Sequence, residues 1–301
     1  MMSYVDYFGM CLEPFSNAPD TRFYFKSKQQ SEALEKLLFC IDSNKGLGVL
    51  VGGVGIGKTT LARHLLDSLS EKKYESSLLV MVHSGITTEW ILTRIAIQLG
   101  VEEPANDRLI LLKQLYERLI QIDQEGRRAV VLIDEAQMLQ SRELMEEFRG
   151  LLNLEIPGKK LLNIIFFGLP DISDCLRLDE PLAQRVAVKC HMRSFTADTT
   201  ATYIKYRLQV AGAQKLFFSP EALTAIYRYS GGLPRLINTL CDNSLFEAFM
   251  RRVDQVSFKI VHSVAGDLGL LQQPLNKGTS SEKFPDLNEI ENMLDRLEQK
   301  N

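Results

Sequence analysis

Between Leu47 and about Phe195, short apolar runs alternate with stretches of helical spacing. The runs are LGVLVGG, SLLVMVHSG, RAVVLIDEA, KLLNIIFFG and AVKCHMRSF. They are rich in Val, Ile, Leu and Phe with little polar alternation, which predicts strands buried on both faces of a parallel sheet. TTEWILTRIAIQL and RLILLKQLYERLIQI lie between them and predict helices. In the second, Leu109, Leu112, Leu115, Tyr116 and Leu119 recur at helical spacing and predict one apolar stripe. Strand–helix alternation of this kind implies an α/β domain with helices on both faces of the sheet.

After Phe195 the strand pattern stops. TADTTATYIKYRLQVAG opens on Thr196 as N-cap and ends at Gly212. SPEALTAIYRYSGG has Ser219 as cap, Pro220 at the first helical position and Glu221 in the first turn, with Gly231 and Gly232 as stop signals. LPRLINTLCDNSLFEAFMRR follows as a third helix. This is a small all-α domain, about 70 residues long. Residues 269–285 have the Gly, Ser, Pro and Gln content of a linker. A last helix is expected over 286–301, capped by Asp286 with Glu289 in a capping box, its seam made by Leu287, Ile290, Leu294 and Leu297. Two heptads are too short to be stable alone, so this helix either folds back on its own domain or docks on a partner. The chain therefore divides into an N-terminal segment (1–29), an α/β domain (30–195), a helical domain (196–268), the linker and the amphipathic tail.

Composition narrows the class without deciding it. The 301 residues are 45% hydrophobic and 24% charged, those of a soluble globular protein. A formal net charge of −3 argues against indiscriminate nucleic-acid binding. Cys11, Cys40, Cys175, Cys190 and Cys241 are scattered without CxxC spacing, which suits reduced thiols in the cytoplasm. His64, His83, His191 and His262 are equally scattered, so no metal site is read from them. No apolar run approaches the roughly 20 residues that span a bilayer, and the N-terminus lacks the pattern of a signal peptide.

The chemistry is concentrated in GGVGIGKTT, residues 52–60. Gly52, Gly57, Lys58 and Thr59 satisfy G-x-x-x-x-G-K-[ST], between a predicted strand and a predicted helix. Glycines let the backbone turn tightly and aim its N–H groups at phosphate oxygens. Gly52, Gly53, Val54, Gly55, Ile56, Gly57, Lys58, Thr59 and Thr60 are thus the candidate contacts to ATP. Lys58 supplies a positive charge for the outer phosphates, Thr59 a hydroxyl for Mg²⁺, and the helix beginning near Lys58 its positive end. The run AVVLIDEAQ delivers Asp134 and Glu135 to the end of a buried strand, where open α/β sheets bind ligands. Asp134 would hold Mg²⁺ through its water shell and Glu135 would be the general base for the attacking water. The extra strand SLLVMVHSG between the two motifs, with Glu beside Asp, indicates the ATPase branch of P-loop proteins, the ASCE type. Arg185, on the helix just before the last strand, would either reach a neighbouring subunit's γ-phosphate in trans or make a surface ion pair. Arg235, opening the third helix of the small domain, would fold back over the phosphates of its own subunit.

Together these parts resemble the AAA+ superfamily: a P-loop α/β domain followed by a helical lid. The segments YFGMCLEPFSNAPDTRFYF, GGVGIGKTTLARHLL, VVLIDEAQMLQ, EEFRGLLNLE, GLPDISDCL, LAQRV, YIKYRLQVAG and GGLPRLINTLCDNSL narrow the likeness to the ExeA/GspA group, with its MshM-type members from pilus biogenesis loci. The resemblance runs from about Tyr7 to Met250. It implies that Pro14 and Phe15 line the adenine pocket, that Arg185 is an arginine finger and that Arg235 is the second-sensor residue. It also implies an oligomer, in ring form, that couples ATP to assembly of a pilus or type II secretion machine. The partner would be an inner-membrane or cytoplasmic component of that machine, reached through the 286–301 helix, with the protein cytoplasmic or peripheral at the inner membrane.

Two departures from the group stand out. Longer members carry a transmembrane helix and a peptidoglycan-binding domain after the lid, whereas here a linker and short helix follow, as in the MshM-like kind. The group usually has a polar residue, often Gln, where Leu169 stands, to orient the attacking water. Asn163 lies at the other end of the same strand, about 20 Å away, so slow hydrolysis is expected. Two further readings remain open: a DNA-associated regulator related to transposition ATPases, and a nucleotide switch with little turnover.

Overall fold

The computed structural model of the protein describes residues 3–18 and 20–272, so the tail helix expected over 286–301 lies outside the described residues. The strands are β1 (Leu47–Gly52), β2 (Tyr74–Val80), β3 (Arg128–Asp134), β4 (Glu155–Ile156), β5 (Lys159–Lys160), β6 (Leu162–Gly168) and β7 (Val186–Met192). The helices up to the last of these are α1 (Tyr4–Tyr7), α2 (Lys28–Asp42), α3 (Lys58–Ser68), α4 (Thr88–Gln98), α5 (Arg108–Gln124), α6 (Arg142–Leu151), α7 (Ile172–Arg177) and α8 (Glu180–Ala183). Beyond it come α9 (Ala197–Val210), α10 (Pro220–Ser230), α11 (Pro234–Met250) and α12 (Phe258–Asp267).

The described residues form two compact units: Lys28–Val54 with Lys58–Arg193, and those up to Ser27 with Gly55–Gly57 and those from Ser194 onward. The first is built on a five-stranded sheet in the order β2-β3-β6-β1-β7, every pairing parallel. In register, Val131 of β3 faces Ile164 of β6, and Ile164 faces Leu47 of β1, so the carboxyl ends of these three strands come out at one edge. The strands buried along almost their whole length are the three central ones, each covered on both sides by a neighbouring strand and on both faces by the core. The edge strands depart from that expectation. β7 alternates between half-buried or exposed positions until Cys190, and β2 is buried only at Tyr74, Ser77 and Leu79. Each pairs on one side alone, so solvent reaches them.

Helices α4, α5 and α6 pack their apolar residues onto the sheet, with the Phe148 ring edge-on to Phe166 at 5.1 Å. The stripe on α5 is rotated from the expected one. Leu111, Leu115, Leu119 and Ile122 are buried, Leu112 and Tyr116 are partly buried, and Leu109 is 74% exposed. Leu109 sits in the first turn beside the Asp107 cap, which accepts its N–H, and the helix meets the core one turn later.

In the other unit the caps read from sequence are present. Thr196 accepts from the N–H of Thr199, Ser219 accepts from Ala222, and Gly231 closes α10 in the left-handed region. Helix α12 is an addition to the reading, its buried face made by Ile260, Val261, Val264 and Ala265. The N-terminal segment belongs to this unit. Arg207 of α9, 5% exposed, donates to the carbonyls of Pro14 and Ser16 and to the Tyr203 hydroxyl, and stacks on the Phe23 ring at 4.7 Å. Tyr203 donates on to Asn238, whose amide donates to Asn17. A buried guanidinium satisfied this way ties the segment down by charge-assisted bonds.

Gly231 and Gly232 both have positive φ, at +57° and +72°, but their surroundings differ. A Cβ on Gly231 would meet nothing within 4 Å, whereas one on Gly232 would sit 2.0 Å from the carbonyl oxygen of Phe195. Phe195 N–H also donates to Gly232 O at 2.8 Å, so neither strand of backbone is free to yield. Gly231→Ala is expected to cost about 1 kcal/mol, the left-handed penalty alone, and Gly232→Ala at least about 2 kcal/mol more. Denaturant midpoints of the two variants read the difference, and equal shifts would disprove the argument.

Candidate functional site

The sheet brings the two nucleotide motifs to one edge. Asp134 ends β3 and pairs with Val80, Gly52 ends β1, and α3 begins at Lys58. Asp134 is fully buried, and its Oδ2 accepts from the Thr59 hydroxyl at 2.6 Å while Oδ1 accepts from the Glu135 N–H at 2.9 Å. Burial pushes its pKa above that of an ordinary Asp, and the Glu135 charge adds to that push; the two hydrogen bonds and Lys58 pull the other way. Lys58, 6% exposed, donates from Nζ to the carbonyls of Gly52 and Gly53 at 3.0 and 2.9 Å. Burial lowers its pKa, opposed by the nearby Glu135 and Asp134 carboxylates.

A buried carboxylate whose ionised form is penalised, touching a threonine hydroxyl, fits a hard divalent cation. Mg²⁺ prefers few protein oxygens and keeps water and phosphate oxygens for the rest of its shell. Among the described residues no group of three or more His, Cys, Asp or Glu makes a separate metal cluster. Thr59 and Asp134 are therefore the residues that would hold it.

Gly55 and Gly57 of the loop have φ of +72° and +98°, which glycine adopts without penalty. The carbonyl of Gly55 accepts the N–H of Arg235 at 3.1 Å, and a Cβ on Gly55 would lie 2.9 Å from the Arg235 Cβ. The backbone of Arg235 is thereby held against Gly55. Pro14 and Phe15 are both buried. Phe15 is 1% exposed and edge-on to Phe218, so its ring is a core group of its own unit. Arg185 is not on a helix: α8 stops at Ala183, and Arg185 stands between it and β7, donating to Asn153 at 2.5 Å. Asn163 is fully buried, accepts from the Gly46 N–H at 3.2 Å and donates to Asn44 at 3.1 Å, and so fastens the start of β1.

One participant escaped the sequence reading. Gln137, 4% exposed, donates from Nε2 to Glu135 Oε2 at 2.6 Å and accepts at Oε1 from the N–H of Leu169 at 3.0 Å. Its signal was the Gln of AVVLIDEAQ, two residues past Glu135 in a run otherwise read only for its carboxylates.

An AAA domain family matches residues 41–176, from the end of α2 through most of α7. Over 271 residues the chain is 36% identical to General secretion pathway protein A of Aeromonas hydrophila, covering 89% of this chain and 47% of that protein. The chain belongs to the ExeA/GspA group of AAA+ ATPases. It spans about half the length of that curated relative. Among solved structures, Cdc6p from Pyrobaculum aerophilum aligns with a TM-score of 0.66 at 18% identity, over 87% of this chain and 74% of that one. The ADP form of Aeropyrum pernix ORC2 gives 0.64 at 16% identity, over 84% and 72%. The RuvB branch migration motor of Thermotoga maritima gives 0.53 at 18%, over 82% and 73%. At these identities the likeness is one of fold, a parallel P-loop sheet flanked by helices with a helical region after it.

For an ExeA/GspA-type ATPase the buried Asp134 carries a testable consequence. Its charge costs free energy in the nucleotide-free protein, since burial outweighs the bonds that favour ionisation. Asp134→Asn keeps an oxygen for the Glu135 N–H and an amide for Thr59, so the free protein is expected to be as heat-stable as wild type or more so. The wild type should gain about 2.7 kcal/mol at Mg·ATP a hundredfold above Kd, and the variant little of it. Thermal scans with and without Mg·ATP measure both, and full stabilisation of the variant by Mg·ATP would remove Asp134 from the site.

Proposed function

We propose that this protein is an ATP-driven assembly factor for a pilus or type II secretion-type envelope machine, hydrolysing Mg·ATP slowly as an oligomer. The observation that carries the hydrolytic part is the array at the end of β3, where Thr59, Asp134, Glu135 and Lys58 converge. In this reading the backbone N–H groups of residues 52–60 and the Lys58 ammonium hold the phosphates, Lys58 exchanging its loop carbonyls for phosphate oxygens. Thr59 and Asp134 would hold Mg²⁺, which would supply positive charge against the phosphates. Glu135, half-buried beside them, takes the proton of the attacking water.

Arg185 acts in trans for a geometric reason. It directly precedes Val186, which pairs with Leu47 at the start of β1, while the phosphate loop follows the other end of that strand. Five residues at about 3.3 Å each separate the two levels by roughly 17 Å, further than an arginine side chain extends. Its own subunit's site is out of reach, which supports a neighbour's site as its target over the surface contact with Asn153 alone. Arg235, tied by its backbone to Gly55, serves the nucleotide of its own chain as second sensor. For the base, the buried Phe15 ring leaves the backbone around Pro14 as the adenine contact.

The assembly role, the inner-membrane periphery and the partner are carried over from the relationship to General secretion pathway protein A. Among the described residues no helix is long and apolar enough to cross a membrane. The 286–301 segment is the proposed contact with the partner. A nucleotide switch with little turnover is the second reading, favoured by the apolar Leu169 side chain where the group has an amide. The DNA-associated reading rests on fold likeness alone, as with Aeropyrum pernix ORC1, solved in complex with DNA and 15% identical.

Turnover per subunit is expected to climb with protein concentration, to stay well below about 10 s⁻¹, and to collapse in Arg185→Ala with ATP binding retained. Glu135→Gln should bind ATP and not hydrolyse it. A rate independent of both concentration and Arg185 would replace the oligomeric motor with the switch.

A further inference from the structure

Glu135 holds an unusual backbone. It directly follows β3 with φ +55° and ψ +36°, a left-handed conformation that costs a non-glycine residue of this kind on the order of 1 kcal/mol or more. A short 3-10 turn, Ala136–Met138, follows directly and turns Gln137 inward. The Gln137 amide then has one partner on each side: the carboxylate of Glu135 on its nitrogen and the backbone N–H of Leu169 on its oxygen. The orientation of the amide is fixed by those partners, because a flipped group would face oxygen to carboxylate and nitrogen to N–H. The surroundings are built for it. Its own carbonyl accepts from the Cys175 thiol at 3.6 Å, and a Cβ on Gly168 would press on Oε1 at 3.2 Å.

We propose that Gln137 is a positioning residue for the hydrolytic reaction, bridging Glu135 to the end of β6 in place of the amide side chain that Leu169 lacks. The bridge needs one group that donates to a carboxylate and accepts from a peptide N–H within a single side-chain length. Glutamine does both; glutamate would set a second carboxylate against Glu135, and an apolar side chain would do neither. The bridge sets the direction in which the Glu135 carboxylate faces, and it makes that direction depend on where residue 169 lies. Any shift of the β6–α7 connection is thereby passed to the base. Leu169 takes part through its N–H, so its side chain is free to be apolar.

The inference rests on Glu135 being the base, and the test separates the two. Gln137→Met keeps the length and volume while removing both hydrogen bonds, and Gln137→Glu keeps the shape while reversing the donor. ATP hydrolysis, the stoichiometry and Kd of a fluorescent ATP analogue, and the thermal midpoint are measured on the full chain. Both variants are expected to bind the analogue at full stoichiometry within about threefold of wild type, and to lose roughly tenfold or more in kcat, as loss of one charge-assisted bond implies. The loss should also be non-additive: in a Glu135→Asp background, where the bridge is already broken, Gln137→Met should change kcat by less than twofold. Unchanged kcat in both single variants, a loss matched by falling stoichiometry, or full additivity with Glu135→Asp would each overturn the proposal. If Glu135→Gln itself hydrolyses ATP at the wild-type rate, it is the identity of the base that fails instead.

Discussion

The hydrogen bond between the Thr59 hydroxyl and the Asp134 carboxylate is the constraint on which the site depends. It joins the first turn of α3 to the last residue of β3, two elements that are not neighbours in the sequence. The joint is possible only because β1, β6 and β3 run parallel in a register that ends them together. Three strands buried along almost their whole length secure that register, since burial on both faces penalises a slip at nearly every position. The same burial makes Asp134 expensive in its charged form. Packing and chemistry are therefore coupled. The core that aligns the strands also leaves a buried carboxylate whose charge is penalised, with the Lys58 ammonium close enough to offset part of that penalty.

Much of this was readable in the chain. The central strands, the phosphate loop, the carboxylate pair and the caps of α9 and α10 are local signals, each written in a few consecutive residues. What was lost depends on who sits beside whom. The apolar runs of β2 and β7 look like those of central strands, and only the strand order makes them edges. Leu109 has the right spacing for the α5 stripe but belongs to the turn before the helix meets the core. Phe15 is expected to line the adenine pocket, yet its ring is buried in its own unit, and the buried Arg207 that draws in Pro14 and Ser16 lies almost two hundred positions away in sequence. Asn163 lies near the start of β6, and its partners, Gly46 and Asn44, are long-range and carry no signal in the sequence.

The treatment of Leu169 shows why side-chain identity alone misleads at a strand end. Comparing residue types there suggests a missing polar group. The backbone at the same position still offers an N–H, and a polar side chain from another element can supply what the local one lacks. Gln137 reaches it from the turn after β3. Function at such a site is a property of the atoms gathered, and more than one element can deliver them.

That arrangement also accounts for a left-handed glutamate. The conformation at Glu135 costs about 1–2 kcal/mol relative to a right-handed or extended one, and asparagine or glycine would adopt it more readily. A charge-assisted hydrogen bond such as Gln137 to Glu135 contributes about 1.5–3 kcal/mol, enough to offset it. Neither glycine nor asparagine supplies a carboxylate at that reach. The strain is thus borne where the carboxylate is needed, and the residue that compensates it is the same one that aims it. A protein under no demand for a base at this point would have no reason to keep the pair together.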